Sequence, residues 1–392
     1  ASSIEDRERW PMTRSIRCVL MRGGTSKGVF LRNDDLPADA RSRERTILLI
    51  FGSPDRRQID GVGGADPLTS KVAIIGDAPE GTNSHLCYTF GQVEIERPAI
   101  DYASPCGNII AAVGAYAVYE KLVAPVAPVT KVRVFNTNLQ RVITLEVPVA
   151  NGVPVEEGDF VVPGVPGAGA KILVDLSNTG GGACGALLPT GNVKDTFVLG
   201  GGDSIDVSLI DLANPHVYVR AKDVGLTGTE TVPELNANKP LLARLEDIRG
   251  IAAVKFGLVR DPARARHDSR VTPLLAIVAP PASYGDRASE TRVSAADIDL
   301  TARMIFLERA HSNYAATSIA CTGVAAQLAG SVVNEVARPQ ALARGTLRIG
   351  HPVGIFETEC CVDTAGGEIH VRRATLGRTA RRLLEGQVFI RD

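Results

Sequence analysis

The sequence has few aromatic residues and almost no net charge. Aromatic side chains make up 5% of its 392 residues, and 43 basic residues stand against 44 acidic ones, for a net charge of -1. No block of like charge stands out along the chain. Nucleic-acid grooves and membrane-surface helices need clustered cations. The composition therefore indicates neither a nucleic-acid partner nor a membrane partner.

Long apolar runs and metal-binding spacings are also missing. No apolar run approaches the roughly 20 residues that span a bilayer. The seven cysteines contain no Cys-x-x-Cys pair, and the six histidines contain no His-x-His or His-Glu-x-x-His spacing. We therefore predict no metal site. Because the cysteines are odd in number and widely spread, we also expect free thiols in a reducing compartment, the cytoplasm.

Strand-like segments dominate the chain, and five segments have helical periodicity, which together predict an α+β fold. The predicted helices are 40–51, 109–123, 241–251, 295–307 and 324–336. With 44% hydrophobic residues, the chain is long enough for two domains. We place the boundary in a glycine-rich segment, so that the domains are 1–186 and 187–392. The polar residues 1–11, before Met12, are expected to form a tail.

A strand-turn-helix pattern with a cysteine at the start of its helix occurs twice. Cys106 precedes the helix predicted at 109–123, and Cys321 precedes the one predicted at 324–336. Unpaired N–H groups and the positive end of the helix dipole stabilise a thiolate at such a place. A lone cysteine is usually a small buried hydrophobe. Two matching contexts favour sulfur bases and a duplicated domain, with the site between the halves.

Two glycine-rich segments carry further candidate site residues. Residues 21–28 lie between two predicted strands, where glycines let backbone amides approach an anion. The donors of this segment are Arg22, Thr25, Ser26 and Lys27. Its spacing does not match the phosphate-loop pattern and no helix follows, so a carboxylate-binding loop is favoured. Lys71 stands at the entrance of an apolar strand, where partial desolvation prepares a lysine for proton transfer.

Segment 180–185 formally matches the Gly-x-Gly-x-x-Gly pattern of dinucleotide-binding folds. Pro189 follows too soon for the helix that this pattern requires. We therefore predict a turn between the domains and no dinucleotide cofactor.

Five motifs, in the order expected and spread over nearly the whole chain, resemble the PrpF-like family. They are MRGGTSKG at 21–28, RQIDGVGGADPLTSK at 57–71, CGN at 106–108, SNTGG at 177–181 and CTG at 321–323. This family groups 2-methylaconitate isomerase, 3-methylitaconate Δ-isomerase and 4-oxalomesaconate tautomerase. The DPLTSK form and the segment 89–93 look closest to the methylitaconate isomerase branch. The segments 311–314 and 351–354 depart from the family pattern, so we expect them to bear on substrate identity.

The resemblance implies a diaminopimelate-epimerase-like fold. Two pseudo-symmetric domains would each wrap a barrel-like sheet around a central helix, with the active site in the cleft between them. It implies an allylic Δ-isomerase that moves a proton within an unsaturated di- or tricarboxylate, without cofactor or metal. Lys71 and Cys106 would be the acid-base pair, in either order. The substrate-binding residues would be Arg22, Thr25, Ser26, Lys27, Ser70, Gly107, Asn108, Cys321, Thr322, Gly323 and His351.

Other functions are compatible with the same residues. A racemase or epimerase of this fold would use Cys106 and Cys321 as two facing thiols. A keto acid tautomerase of the 4-oxalomesaconate type is a second alternative. A non-catalytic accessory protein would need neither Lys71 nor the thiols. The expected partner is a small polycarboxylate, and whether the chain forms a homo-oligomer is left open.

Overall fold

A computed structural model describes residues 14–102, 105–286 and 291–391. The predicted tail, residues 1–11, lies outside the described residues. The helices are α1 (Ala40–Phe51), α2 (Ile109–Tyr119), α3 (Val232–Ala237), α4 (Lys239–Lys255), α5 (Ala265–Asp268), α6 (Ala316–Gln327) and α7 (Pro339–Arg344). No helix within these ranges is long and apolar enough to cross a membrane.

The strands are numbered in chain order. The first eight are β1 (Arg14–Gly23), β2 (Ser26–Arg32), β3 (Lys71–Asp77), β4 (Leu86–Val93), β5 (Ile100–Asp101), β6 (Val129–Asn136), β7 (Arg141–Ala150) and β8 (Val153–Pro154). The next are β9 (Ile172–Asp175), β10 (Asp195–Val198), β11 (Ser204–Leu212), β12 (Asn214–Arg220), β13 (Leu274–Ala279), β14 (Tyr284–Asp286) and β15 (Thr291–Val293). The last are β16 (Leu300–Phe306), β17 (Arg309–Ala310), β18 (Thr346–His351), β19 (Gly354–Asp363), β20 (His370–Arg378) and β21 (Ala380–Ile390).

The chain divides into two compact units. The first contains Ala1–Ile172 together with Arg378–Asp392, and the second contains Leu173–Gly377. The sequence placed the boundary between residues 186 and 187. It did not anticipate that the C-terminal strand β21 returns to the first unit, where it pairs with β1.

The first unit wraps a sheet around a central helix. Its strands pair in the order β21–β1–β2–β3–β4–β6–β7. Helix α2 contacts strands at both ends of this order, because β21, β1, β2, β6 and β7 all touch it. Residues 109–118 of α2 are all buried. An apolar helix with no polar face is stable only when it is enclosed on all sides.

Strand β2 shows how the sheet separates the two helices of this unit. Val29 and Leu31 pack in one core with Ile47 and Ile50 of α1. Phe30 faces the other way and packs on Tyr116 of α2, with ring centroids 5.3 Å apart. Alternate side chains of a strand point to opposite faces, so β2 is covered on both.

The second unit repeats this plan. Strands β11–β12–β13–β16–β18–β19 pair as antiparallel, parallel, antiparallel, parallel and antiparallel neighbours. Strands β1–β2–β3–β4–β6–β7 of the first unit follow the same series. Helix α4 occupies the place of α1, and the buried helix α6 occupies the place of α2. The predicted duplication of an α+β domain is therefore confirmed.

Two helix predictions are wrong. Residues 295–307 form a short 3-10 turn followed by strand β16, whose residues are almost all buried. A strand covered on both faces loses its polar alternation, so periodicity alone does not separate it from a helix. The second error is in the helix predicted at 324–336, because α6 begins at Ala316 and ends at Gln327. Its first residue follows Ala315, which offers no side-chain cap as a start signal.

This shift corrects the position of Cys321. The residue lies in the second turn of α6 and not at its start, and the residues before it are helical rather than a strand. Cys106 lies three residues before the first residue of α2. The residue three positions before the first residue of α6 is Asn313. The topology is duplicated, but the cysteine at the helix start is not.

His216 is a buried polar residue in the second unit. Its Nδ1 lies 2.6 Å from the carbonyl oxygen of Asn214, and its Nε2 lies 2.7 Å from the hydroxyl of Ser318. A carbonyl oxygen only accepts, so Nδ1 carries the hydrogen and Nε2 accepts from Ser318. Burial lowers the pKa of His216 to about 4.

We expect the folded protein to lose stability as the pH falls from about 6.5 to about 4. In this window unfolded His216 binds a proton and buried His216 does not, so the unfolded state gains protons and is favoured. The loss is about 3 kcal/mol for this one group. Urea unfolding at a series of pH values measures it. His216→Gln should reduce the slope of unfolding free energy against pH by the equivalent of about one proton. The slope that remains should include a contribution from His311, whose pKa burial also lowers. An unchanged slope would contradict this assignment.

Candidate active site

Cys106 lies at the N-terminus of the enclosed helix α2. Its sulfur accepts the N–H of Ile109 over 3.5 Å, and its carbonyl accepts the N–H of Ile110 over 3.2 Å. The side chain is half-buried. The first amides of a helix lack partners within the helix and carry its positive dipole end. The predicted position of Cys106 at the start of a helix is confirmed.

Asn108 occupies the N-cap position of α2 but does not cap the helix. Its Nδ2 donates to Thr25 Oγ1 over 3.0 Å and to Ser26 Oγ over 3.4 Å. Its Oδ1 accepts from Nε of Arg378 over 2.9 Å. The predicted residues Thr25, Ser26 and Asn108 therefore meet in one hydrogen-bonded group at the start of α2.

Glycines permit this close approach of the loop 21–28 to the helix. A Cβ on Gly23 would lie 2.5 Å from the carbonyl oxygen of Asn108, and a Cβ on Gly24 would lie 2.4 Å from its Oδ1. Gly24 also has a φ of 50°, a conformation that glycine adopts without strain. The loop is fixed from the other side, where Gly24 N–H donates to the carbonyl of Thr379 over 2.9 Å.

Lys71 is the first residue of β3 and is 8% exposed. Its Nζ donates to Oε1 of Gln92 over 2.6 Å and lies 5.2 Å from the ring centroid of Phe90. Nε2 of Gln92 donates to the carbonyl of Ser70 over 2.9 Å. That bond fixes the amide so that its oxygen faces the lysine. The Lys71 amine thus contacts a neutral acceptor and an aromatic face.

Lys71 and the start of α2 lie on either side of Gly28. Gly28 is in register with Lys71 across the parallel pair of β2 and β3. A Cβ on Gly28 would lie 3.0 Å both from the carbonyl oxygen of Lys71 and from Cδ1 of Ile109. The end of β1, the starts of β2 and β3 and the end of β4 share this edge of the sheet. Lys71 lies on this edge, and Cys106 precedes the helix whose first residue, Ile109, approaches it.

Other predicted residues of this unit have structural contacts. Nη1 of Arg22 donates to the carbonyl and hydroxyl oxygens of Thr379, and burial lowers the pKa of this guanidinium. Ser70 is fully buried, and its hydroxyl donates to Oε1 of Gln58 over 2.8 Å. Lys27 and Gly107 are half-buried. Substrate contact by these residues stays a prediction.

The predicted residues of the second unit are buried in its interior. Cys321 and Thr322 are 0% exposed, and burial raises the pKa of the Cys321 thiol to about 12. The hydroxyl oxygen of Thr322 lies 2.7 Å from that of Tyr314. A Cβ on Gly323 would lie 2.8 Å from Cγ2 of Thr358, so this glycine permits close packing of α6 on β19.

His351 ends β18 and is also fully buried. Its ring stacks on Phe356 with centroids 4.0 Å apart. A substrate-binding role for His351 stays a prediction, as it does for the three residues of α6.

Three further residues of this site were not predicted from the sequence. Arg378 is 4% exposed, and burial lowers the pKa of its guanidinium to about 10, an effect that Cys106 opposes. Tyr88 is fully buried near Cys106, and burial raises the pKa of its hydroxyl well above the usual range, so the phenol stays protonated. Gln92 lies in the segment 89–93, to which no catalytic or binding role was assigned from the sequence. These residues come from β4 and from the end of β20, and only strand pairing brings them to the site.

No group of histidine, cysteine and acidic residues among the described residues could hold a metal ion. All seven cysteines are free thiols. The donors around Cys106 are amides, hydroxyls and a guanidinium, which suit an organic anion.

Comparison with known proteins identifies the family. The PrpF protein family model matches residues 13–391. The chain belongs to the PrpF family. The 3-methylitaconate isomerase of Eubacterium barkeri is 46% identical over 375 residues, 96% of this chain and 97% of that protein. The 2-methyl-aconitate isomerase of Shewanella oneidensis is 35% identical over 396 residues, 97% of this chain and 98% of that protein.

Solved structures agree with this assignment. A crystal structure of methylitaconate-delta-isomerase has 46% identity and a TM-score of 0.91, covering 97% of this chain and 96% of that chain. A hydroxyproline epimerase from Agrobacterium vitis has 11% identity and a TM-score of 0.50, covering 98% and 95%, and shows the fold alone. This PrpF family member is an isomerase with an α+β, diaminopimelate-epimerase-like fold.

We expect the cysteines to differ sharply in alkylation by iodoacetamide. Half-buried Cys106 and exposed Cys361 should be modified in the folded protein, and fully buried Cys321 should not. Peptide mass spectrometry over a time course measures each thiol, with the urea-unfolded protein as the control in which all should react. Modification of Cys321 as fast as Cys361 would contradict its burial.

Proposed function

We propose that this PrpF family member catalyses a cofactor-independent 1,3-proton shift in an unsaturated di- or tricarboxylate, with 3-methylitaconate as the first substrate to test. The observation that carries the proposal is that Gly28 brings two elements together: helix α2, which has Cys106 at its amide end, and the start of β3, which carries Lys71. Near full-length identity of 46% to a 3-methylitaconate isomerase supports the substrate class.

The substrate carries its own electron sink. In 3-methylitaconate a base would remove the proton at C3. The electron pair of that C–H bond would delocalise onto the carboxylate attached to C3 and, through the double bond, onto the terminal methylene carbon. An acid would then deliver a proton to the terminal methylene carbon, which completes migration of the double bond. Charge that develops on the carboxylate oxygens is stabilised best by donors already in position.

The described residues supply these roles. Lys71 and Cys106 form the acid-base pair, and the protonation order is left to experiment. The carboxylates would be held by the first amides of α2 and by the hydroxyls of Thr25 and Ser26. Lys27 and the buried guanidinium of Arg378 add positive charge. The whole chain has a net charge of -1 and does not itself attract an anion, so the attraction comes from these local cations.

The geometry does not favour the two-cysteine racemase. That reaction needs two thiols that can each lose a proton near neutral pH. Cys321 is fully buried within α6, and its pKa is raised to about 12. The position before α6 that corresponds to Cys106 before α2 is occupied by Asn313, which has no thiol. No observation favours the keto acid tautomerase over the methylitaconate-type isomerase.

We also propose the cytoplasm as the compartment, because the seven cysteines are free thiols. A small polycarboxylate is the proposed partner. The oligomeric state is left to measurement.

Proton NMR in D2O tests the function. The wild-type protein should move the double bond of 3-methylitaconate, and Lys71→Met and Cys106→Ser should each lower the rate by roughly 10²–10⁴-fold, the usual contribution of a positioned acid or base. The variant that keeps the base should still exchange the C3 proton for deuterium without double-bond migration. That exchange would assign the two roles.

Lys131→Met and Cys361→Ser are matched controls, because both side chains are exposed and lie outside the site. Both should keep wild-type rates. Full activity of Lys71→Met combined with inactivity of Cys321→Ser would contradict the isomerase and support the racemase. Wild-type inactivity towards 3-methylitaconate, 2-methylaconitate, cis-aconitate and 4-oxalomesaconate would overturn the proposed substrate class.

A further inference from the structure

Arg378 is a buried cation at the start of α2 with a defined hydrogen-bond partner. It ends β20, is 4% exposed, and donates from Nε to Oδ1 of Asn108 over 2.9 Å. A guanidinium has only donors. The side of the Asn108 amide that faces Arg378 must therefore be its oxygen, and Nδ2 must point the other way.

The direction of this amide sets the direction of the next hydrogen bonds. Nδ2 of Asn108 can only donate, so the hydroxyl oxygens of Thr25 and Ser26 must accept. Neither hydroxyl donates a hydrogen bond to any residue that the structure describes. Each therefore keeps its hydrogen for another acceptor. Two hydroxyl donors beside a guanidinium and helix amides match a carboxylate.

We propose that Arg378 is a positioning residue, which fixes the Asn108 amide so that the Thr25 and Ser26 hydroxyls donate to a substrate carboxylate. This inference rests on the proposed function only for the identity of the substrate. It explains why an asparagine at the N-cap of α2 leaves that helix uncapped. With the amide reversed, the two hydroxyls would donate to Asn108 and the carboxylate would lose both donors.

The hydrogen bonds that run from Arg378 through Asn108 to Thr25 and Ser26 form a relay. Loop geometry gives this relay little freedom to rearrange. A Cβ on Gly24 would lie 2.4 Å from Oδ1 of Asn108 and 2.9 Å from Cδ of Arg378. The neighbouring Thr379 accepts hydrogen bonds from Gly24 N–H and from Arg22. The segment that carries Arg378 and the loop that carries the hydroxyls are thus joined directly.

Binding of tricarballylate, a saturated tricarboxylate that has no double bond to move, tests the relay apart from turnover. Isothermal titration calorimetry would compare the wild-type protein, Arg378→Met, the double variant Thr25→Val with Ser26→Ala, and the combination of all three changes. Arg378→Met should raise the Kd roughly tenfold or more in the wild-type background, as expected for losing charge-assisted donors. In the background without the hydroxyls it should raise the Kd by only about twofold, because the attraction by the buried positive charge of Arg378 is lost there but no hydroxyl donors remain to be oriented.

Asn108→Asp is the second variant, because an isosteric carboxylate keeps the contact with Arg378 and should fold. Its second oxygen would accept the hydrogens of both hydroxyls and turn them away from the ligand. Repulsion by the new charge acts equally in both backgrounds, so the relay predicts a larger rise in Kd when Thr25 and Ser26 are present. Thermal melting of each variant confirms that it is folded.

Equal effects of Arg378→Met, or of Asn108→Asp, in the two backgrounds would overturn the relay and leave the isomerase function standing. No binding of tricarballylate by the wild-type protein would also overturn it. Wild-type binding with the expected difference between backgrounds, but without turnover of any unsaturated polycarboxylate, would support the relay and reject the proposed function.

Discussion

The enclosure of α2 is the constraint on which the first unit depends. A helix that is apolar all round has to be covered on every side, and a sheet that curves around it provides that cover. Such a helix has unpaired polar groups only at its ends. Its N-terminal amides therefore meet the sheet edge where β1 turns into β2 and where β3 begins. Chemistry that needs a preorganised anion site is located there by the packing of the core.

The second unit shows that the same topology does not dictate the same chemistry. Polar side chains of the unit itself occupy the start of α6. Asn214 donates to the hydroxyl of Thr317 over 2.9 Å, and Ser318 bonds to His216. Thr317, Ser318 and His216 are buried and Asn214 is half-buried, and the four bond to one another, so this helix start is part of a core. The start of α2 instead carries a half-buried thiol and hydroxyls with hydrogens still to donate.

Local signals were predictable from the sequence, and pairing across the sheet was not. Helix α1 has the predicted bounds 40–51, because Asp39 caps it and Gly52 ends it in a left-handed conformation. Helix α2 starts where predicted, with Cys106 before it. Helix α6 was misplaced because its small apolar residues give no period and Ala315 gives no cap. An error of a few residues was enough to make Cys321 resemble a second Cys106.

Gln92 and Arg378 could not be predicted as site residues for a different physical reason. Gln92 faces Lys71 only because β3 and β4 pair in a particular register. Arg378 reaches Asn108 only because the chain returns to the first unit after the whole second unit. A buried arginine costs free energy unless its donors are used. Its position beside a thiol and an asparagine is therefore a property of the folded sheet, and neither residue type nor local spacing could have predicted it.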